Sequence, residues 1–314
     1  MILIISHSSD VHTQQVARAL ERRGHTPFLL DFSRFPSKSS IRFDFGRRHD
    51  KQLHDAEWGD ADLCQVRAVW WRRPQPFDIP QEMAHPLYRM FATAEAREVF
   101  GGLSGLLDAQ WINVPERDDL AHRKVFQLRT AERLGLALPD TLVTTSPEAA
   151  REFIYRPGAN GTVFKAFSGT PQAWRETRLV GEAELAHLDA VRLAPVIFQA
   201  YVPGVDVRVT VIGEQMFAAD IDIGSGDYPV DFRMNYENLR IRPLALPDAV
   251  ERDIRALMAS LGLVYGAIDF RRTPEGQYVF LEINPAGQWL FVEQHTRQPI
   301  TEAMADALVG LERP

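Results

Sequence analysis

Two carboxylates and an amide flank a single turn in the run Tyr265-Gly-Ala-Ile-Asp269-Phe-Arg-Arg-Thr-Pro-Glu-Gly-Gln-Tyr-Val-Phe-Leu-Glu282-Ile-Asn284-Pro. Pro274, Glu275 and Gly276 are the turn signal between two apolar-rich stretches. An antiparallel hairpin centred there sets Asp269 opposite Glu282, with Cβ atoms about 4.5–5.5 Å apart. Asn284, two residues further on, shares their face, while Ile268, Phe270, Leu281 and Ile283 take the other. Two acids that close repel unless a cation sits between them, and an all-oxygen donor set suits Mg²⁺. A solvated hairpin face with incidental acids is the competing reading, and a one-residue slip of register separates the three groups.

Other residues invite a polyanion. Lys165 lies in an apolar strand between Phe164 and Ala166, where an ammonium needs a partner. Triphosphate oxygens would serve, as would an ordinary ion pair. Ser168, Gly169 and Thr170 follow as a short polar loop, either a plain turn or a backbone cradle for phosphate. Arg208, between Val207 and Val209, points to the same face as Asp206. A guanidinium there could hold carboxylate and phosphate oxygens together, the alternative being a surface arginine. Leu63 to Phe77 holds Arg67, Arg72, Arg73, Trp70 and Trp71 and no acid. That is either the end of a buried strand or a basic, aromatic landing for an acidic peptide. No Ser-His-Asp order, nucleophilic cysteine or metal-ligand histidine spacing stands out.

The elements that must position these groups are legible in outline. Met1–Ser6 reads as a strand, followed by a helix through Val16 and Leu20 that stops at Gly24, then a strand over Pro27–Phe32. Arg67–Trp71 is a further strand, and a long helix runs from about Pro86 to Leu107. Alternation of strand and helix implies a mostly parallel sheet. Past Asn113 come a helix over Arg117–Leu134 and strands over Thr141–Thr145 and Thr162–Phe167. Strands then follow over Val196–Val202, Val207–Gly213 and Met216–Ile223, with a helix over Pro247–Leu261 before the hairpin. The fold class is α/β joined to α+β. The divisions fall at 1–112, 113–195 and 196–314.

Bulk properties narrow the choice. The chain has 314 residues, 45% apolar and 25% charged, a globular balance long enough for two or three packed units. A net charge of −7 argues against nucleic-acid binding. Cys64 is the only cysteine, which rules out an intrachain disulfide and fits a reducing compartment. No stretch approaches a membrane span or a signal-peptide core, so the expectation is a cytoplasmic protein.

The Asp269…Glu282-x-Asn284 triplet resembles the magnesium signature of the ATP-grasp superfamily. Further motifs in matching order extend the resemblance over nearly the whole chain: Asn113-Val-Pro, Lys124-Val-Phe-Gln127, Pro139-Asp-Thr-Leu-Val-Thr144, Phe164-Lys-Ala-Phe-Ser-Gly169, Gln199-Ala-Tyr-Val-Pro-Gly204, Asp206-Val-Arg208 and Glu282-Ile-Asn-Pro-Ala-Gly-Gln-Trp289. Val69-Trp-Trp-Arg-Arg-Pro74 directs it toward the RimK-like maturases that macrocyclise ribosomally made peptides (the microviridin-type, or graspetide, ligases).

That resemblance implies an ATP-grasp fold behind a Rossmann-like pre-ATP-grasp domain, with ATP and two Mg²⁺ ions as cofactors. By the same resemblance Lys124, Lys165, Ser168 and Gly169 contact the phosphates. Gln199, Tyr201 and Val202 form the hinge beside adenine, and Asp206 takes the ribose. Arg208 is catalytic, and Arg233 and Asn235, in a polar stretch that could close over the site, grip the acyl phosphate. Arg72 and Arg73 receive the peptide. The implied partner is a precursor peptide whose leader docks on the enzyme, and relatives imply a homodimer. The implied reaction joins Glu or Asp side chains to Ser, Thr or Lys side chains. Two other readings use the same residues: a ligase that adds a free amino acid to a peptide or small molecule, and an ATP-binding regulatory protein without turnover. The intact Asp269, Glu282, Asn284 and Arg208 speak against the last.

Overall fold

The computed structural model describes residues 1–46, 50–156, 160–167, 177–222 and 240–312. The opening strand Ile2–Ile5 is wholly buried and lies in a four-stranded parallel sheet. Its order is Phe28–Leu30, Ile2–Ile5, Ala68–Trp71, Gln110–Ile112. A strand without a polar face must be covered on both sides, and crossover helices do so. The helix Val11–Arg22 starts at Asp10, whose carboxylate accepts from the Thr13 N–H, and ends before Gly24. The long helix expected from Pro86 instead breaks at Gly102, giving Pro86–Gly101 and a short turn Leu103–Leu106. The helix expected over Arg117–Leu134 is also two, Pro115–His122 and Lys124–Arg133, with extended backbone at Arg123 between them.

A four-stranded sheet, ordered Arg178–Leu179, Thr162–Lys165, Val196–Ala200, Thr141–Thr144, occupies the middle. Val196–Ala200 is hydrogen-bonded inside that sheet, to Thr141–Thr144 on one side and Thr162–Lys165 on the other. The last part is a five-stranded antiparallel sheet ordered Arg240–Leu244, Gln215–Asp222, Val205–Ile212, Tyr265–Arg272, Tyr278–Asn284. One face carries Val207, Val209, Val211, Ile268, Phe270 and Ile283. These pack on Ile254, Leu257 and Leu261 of the helix Asp248–Leu261 and on Ala131 of Lys124–Arg133. Burial of that face leaves the other for chemistry.

A three-stranded antiparallel sheet over Ser39–Phe43, Lys51–Asp55 and Gly59–Asp62 was not expected, nor were the helices Leu290–Thr296 and Ile300–Glu312. The small sheet is fastened by Arg34, whose guanidinium donates to both Asp55 oxygens at 2.7 Å. The last helix packs back on the N-terminal unit: Met304 and Leu308 join Ile2, Ile4, Leu20 and Trp70 in one core, and Arg23 pairs with Asp306 at 2.7 Å. Among the described residues no helix is long and apolar enough to cross a membrane.

His12 closes this junction. It is 2% exposed, and its Nε2 accepts the backbone N–H groups of Trp289 and Leu290 at 3.0 and 3.3 Å, a role open only to the neutral ring. Burial, and then the Arg72 guanidinium, push its pKa down from 6.5 to about 3. The unfolded chain takes up a proton below about pH 6.5 that the folded chain refuses until about pH 3. Stability therefore falls as pH drops through that window, by up to about 1.4 kcal/mol per pH unit from this residue. Denaturant titrations at pH 7 and pH 5 should show a larger acid loss for the wild type than for His12→Gln. Equal losses would remove His12 from the acid response.

Candidate active site

The exposed face of the five-stranded sheet carries a row of charge across three strands and one helix. Arg208 on Val205–Ile212 pairs in register with Asp269, and Asp269 pairs in register with Glu282. Arg208 Nε lies 2.8 Å from Asp269 Oδ1, an ion pair outside hydrogen-bond geometry. At the far end the Lys124 ammonium, on the first turn of Lys124–Arg133, donates to Glu282 Oε2. The order is cation, acid, acid, cation. Flanking cations offset two carboxylates that would otherwise repel.

The hairpin reaches this register by a route the sequence did not reveal. Near the turn Arg272 faces Tyr278 and Phe270 faces Phe280, a pairing that continued unbroken would set Leu281 against Asp269. A β-bulge between Asp269 and Phe270 shifts the partner by one residue and puts Glu282 there instead. The same bulge corrects the expectation for Leu281: its side chain lines the cleft, whereas Ile268, Phe270 and Ile283 enter the core.

Asp269, Glu282 and Asn284 all line an open cleft between the five-stranded and middle sheets. These three oxygen donors fit a divalent ion: one strand supplies the first, the neighbouring strand the other two. Asn284 Oδ1 also accepts from the Ala286 N–H at 3.0 Å, which fixes its amide plane. No cluster of three His, Cys, Asp or Glu side chains suited to a metal occurs among the described residues.

Lys165 and Gln199 line the opposite wall. Gln199 is buried, and its side chain donates to Thr141 Oγ1 at 3.0 Å. In the hinge, the Tyr201 N–H donates to Gly161 O at 2.9 Å and Val202 O accepts from Arg271 Nε at 3.0 Å. Those two backbone groups are therefore engaged within the chain. Asp206 lines the cleft but pairs with Arg271 Nη1 at 2.6 Å. Arg271 thus ties hinge to sheet, reaching Tyr201 Oη at 3.3 Å as well. Sequence reasoning passed over it, although it follows Asp269 at strand spacing and so had to share its face. At Gly204, φ is +147° and a Cβ would lie 2.1 Å from Arg272 O. Only glycine lets the hinge approach the hairpin so closely.

Arg72 requires correction as a peptide-binding residue. It is 1% exposed and lies against the rings of Trp70 and Trp289. Its Nη1 donates to Ala286 O and Gly287 O at 2.7 Å each, and its Nε faces Asp10 at 3.3 Å. An arginine so enclosed pins the N-terminal unit to the segment after the hairpin. Gly287 O also accepts from Tyr265 Oη at 2.8 Å, and burial pushes the Tyr265 pKa up to about 12, so the phenol stays a donor. Arg73 is half-buried and lines a second cleft with Trp71, Gln75, Asp118, His122 and Asn284, which therefore borders both clefts. Ser168, Gly169, Arg233 and Asn235 lie outside the described residues.

A family model described as the MvdD pre-ATP grasp domain matches residues 1–119. The macrocyclase MdnC, solved with the precursor peptide MdnA from Microcystis aeruginosa MRC, is 31% identical at a TM-score of 0.88, over 98% of this chain and 99% of that one. This chain belongs to the ATP-grasp macrocyclase family. A RiPP-associated ATP-grasp ligase from Chryseobacterium gregarium, solved with ADP and a leader and core peptide, is 27% identical at a TM-score of 0.88, over 100% of this chain and 97% of that one. Ribosomal protein bS6–L-glutamate ligase of Salmonella paratyphi B is 29% identical over 193 residues, 59% of this chain; the match spans 62% of that relative's length. In this ATP-grasp chain the parallel sheet at the N-terminus is the pre-ATP-grasp domain, and the cleft lies between the two later sheets.

Proposed function

We infer that this ATP-grasp chain activates Glu or Asp side chains of a ribosomally made precursor peptide as acyl phosphates and joins them to Ser, Thr or Lys side chains. The observation that carries this reading is the Arg208–Asp269–Glu282–Lys124 row, whose first three members line the cleft. Its two acids and Asn284 would hold magnesium, which supplies charge neutralisation between carboxylate and triphosphate. Arg208 orients the attacking carboxylate toward the γ-phosphorus, and Lys124 and Lys165 contact phosphate oxygens. Arg73 and the second cleft face the incoming peptide, because that cleft meets the first at Asn284. Family likeness supports two magnesium ions and a homodimer, and the cysteine usage supports a cytoplasmic site of action.

The test is mass spectrometry of an acidic Ser/Thr/Lys-containing peptide encoded beside this chain, incubated with enzyme, ATP and Mg²⁺. The expected product has lost one water for each bond formed. Addition of free amino-acid mass would instead support the glutamate-ligase reading, which the bS6 ligase likeness favours. An unchanged peptide with no ATP consumed would overturn both.

A further inference from the structure

The strand Tyr278–Asn284 is the outer strand of its sheet, so its outward backbone groups have no ladder partner on that side. Backbone groups of Phe280 and Ile283 find partners elsewhere in the chain. The Phe280 N–H donates to Ala137 O at 2.8 Å. The Ile283 N–H donates to Gln127 Oε1 at 3.1 Å, and Ile283 O accepts from Gln127 Nε2 at 2.8 Å. The same Nε2 donates to Ala121 O at 2.6 Å, and the side chain is fully enclosed, with Gln127 1% exposed.

Outward groups of a regular strand recur at every second residue. Here they fall at 280 and 283, and the extra residue is the bulge that brings Glu282 opposite Asp269. Gln127 therefore grips the strand just past the bulge, at the residue between Glu282 and Asn284. Asn113 does similar work at the strand ends. Its Oδ1 accepts from the Val264 and Tyr265 N–H groups at 2.8 Å, and its Nδ2 donates to Tyr265 O at 2.9 Å and Pro285 O at 3.3 Å.

We propose that Gln127 is a positioning residue for the divalent ion: its amide stands in for a missing strand and locks the shifted register that aims Glu282 and Asn284 at Asp269. Helix packing alone would need no amide, since a methionine fills the same space. The amide is required because three buried backbone groups depend on it. This inference rests on the magnesium reading above.

The test compares wild type and Gln127→Met, both with ADP, by electron paramagnetic resonance titration of Mn²⁺. Outer partners of metal ligands typically contribute 10–100-fold in affinity, so the Mn²⁺ dissociation constant should rise by roughly that factor. ADP affinity without metal should stay unchanged, and exchange of the Ile283 amide should accelerate. Raising Mg²⁺ should restore turnover, so that the change appears in the metal's KM and not in kcat. Equal Mn²⁺ affinity in the two proteins overturns the proposal while leaving the magnesium reading intact. A wild type that binds no Mn²⁺ with ADP overturns both. Should Gln127→Met not fold, Gln127→Glu keeps the acceptor for the Ile283 N–H but sets a carboxylate oxygen against two carbonyls. Its Mn²⁺ affinity falls if the amide sets the register and is untouched if Gln127 only packs.

Discussion

Asp269→Asn should lower ligation by roughly 10³-fold or more, because it removes several kcal/mol of charge stabilisation at about 1.4 kcal/mol per tenfold. The substitution keeps shape and deletes one negative charge from the middle of the row. Three consequences act together. The divalent ion loses one of two anionic donors, Glu282 faces a neutral amide, and Arg208, whose side chain is only 10% exposed, loses its ionic partner. The last effect is one of stability and smaller, on the order of 1–3 kcal/mol for a group left without its partner. Turnover should therefore fall far more than the melting temperature. Two measurements separate the effects: peptide ligation across a magnesium titration, and thermal unfolding without nucleotide. A variant within tenfold of wild type at saturating magnesium would mean that Asp269 holds no metal, and the assignment of the whole triplet would go with it.

How far the sequence exposed this site depends on whether a signal was local. The turn at Pro274–Gly276 is local chemistry, and so is strand alternation. Together they were enough to place Asp269 against Glu282 and to turn Asn284 the same way. The bulge itself was not legible, because it depends on tertiary partners at Ala137 and Gln127 that no short-range pattern reports. The resemblance implies a phosphate contact for Lys124, but its placement on Glu282 depends on where its helix docks, which is not a local signal. Gln127 did carry a signal, being a polar residue three positions after Lys124 in the stripe that also holds Ala131. Arg72 misled because a charged residue at a strand end reads as exposed. Only the return of Ala286 and Gly287 beneath it, with Trp70 and Trp289 around it, makes it an internal pin. The small sheet over residues 39–62 escaped because its strands are short and polar, and part of its fastening comes from Arg34 outside it.

Arg208→Ala should lower turnover by roughly 10²–10³-fold, the effect of removing a donor that stabilises developing negative charge, while nucleotide binding persists. Arg208 is 8% exposed, lies over the Phe291 ring at 5.7 Å and pairs across the strands with Asp269. Its planar fork can bridge a carboxylate and a phosphate in the orientation that in-line attack requires, which a point charge would do less well. Arg208→Lys should therefore recover only part of the loss. The ion pair gives this variant a signature opposite to that of Asp269→Asn. Without Arg208 the carboxylate of Asp269 loses a competing cation, so affinity for Mn²⁺ with ADP should be equal to or higher than in wild type, even as turnover falls. In Asp269→Asn both decline together. Titrating metal affinity and single-turnover phosphate release in the two variants decides between these roles. If Arg208→Ala weakens metal binding in proportion to turnover, the arginine supports the metal edge and takes no part in orienting the carboxylate.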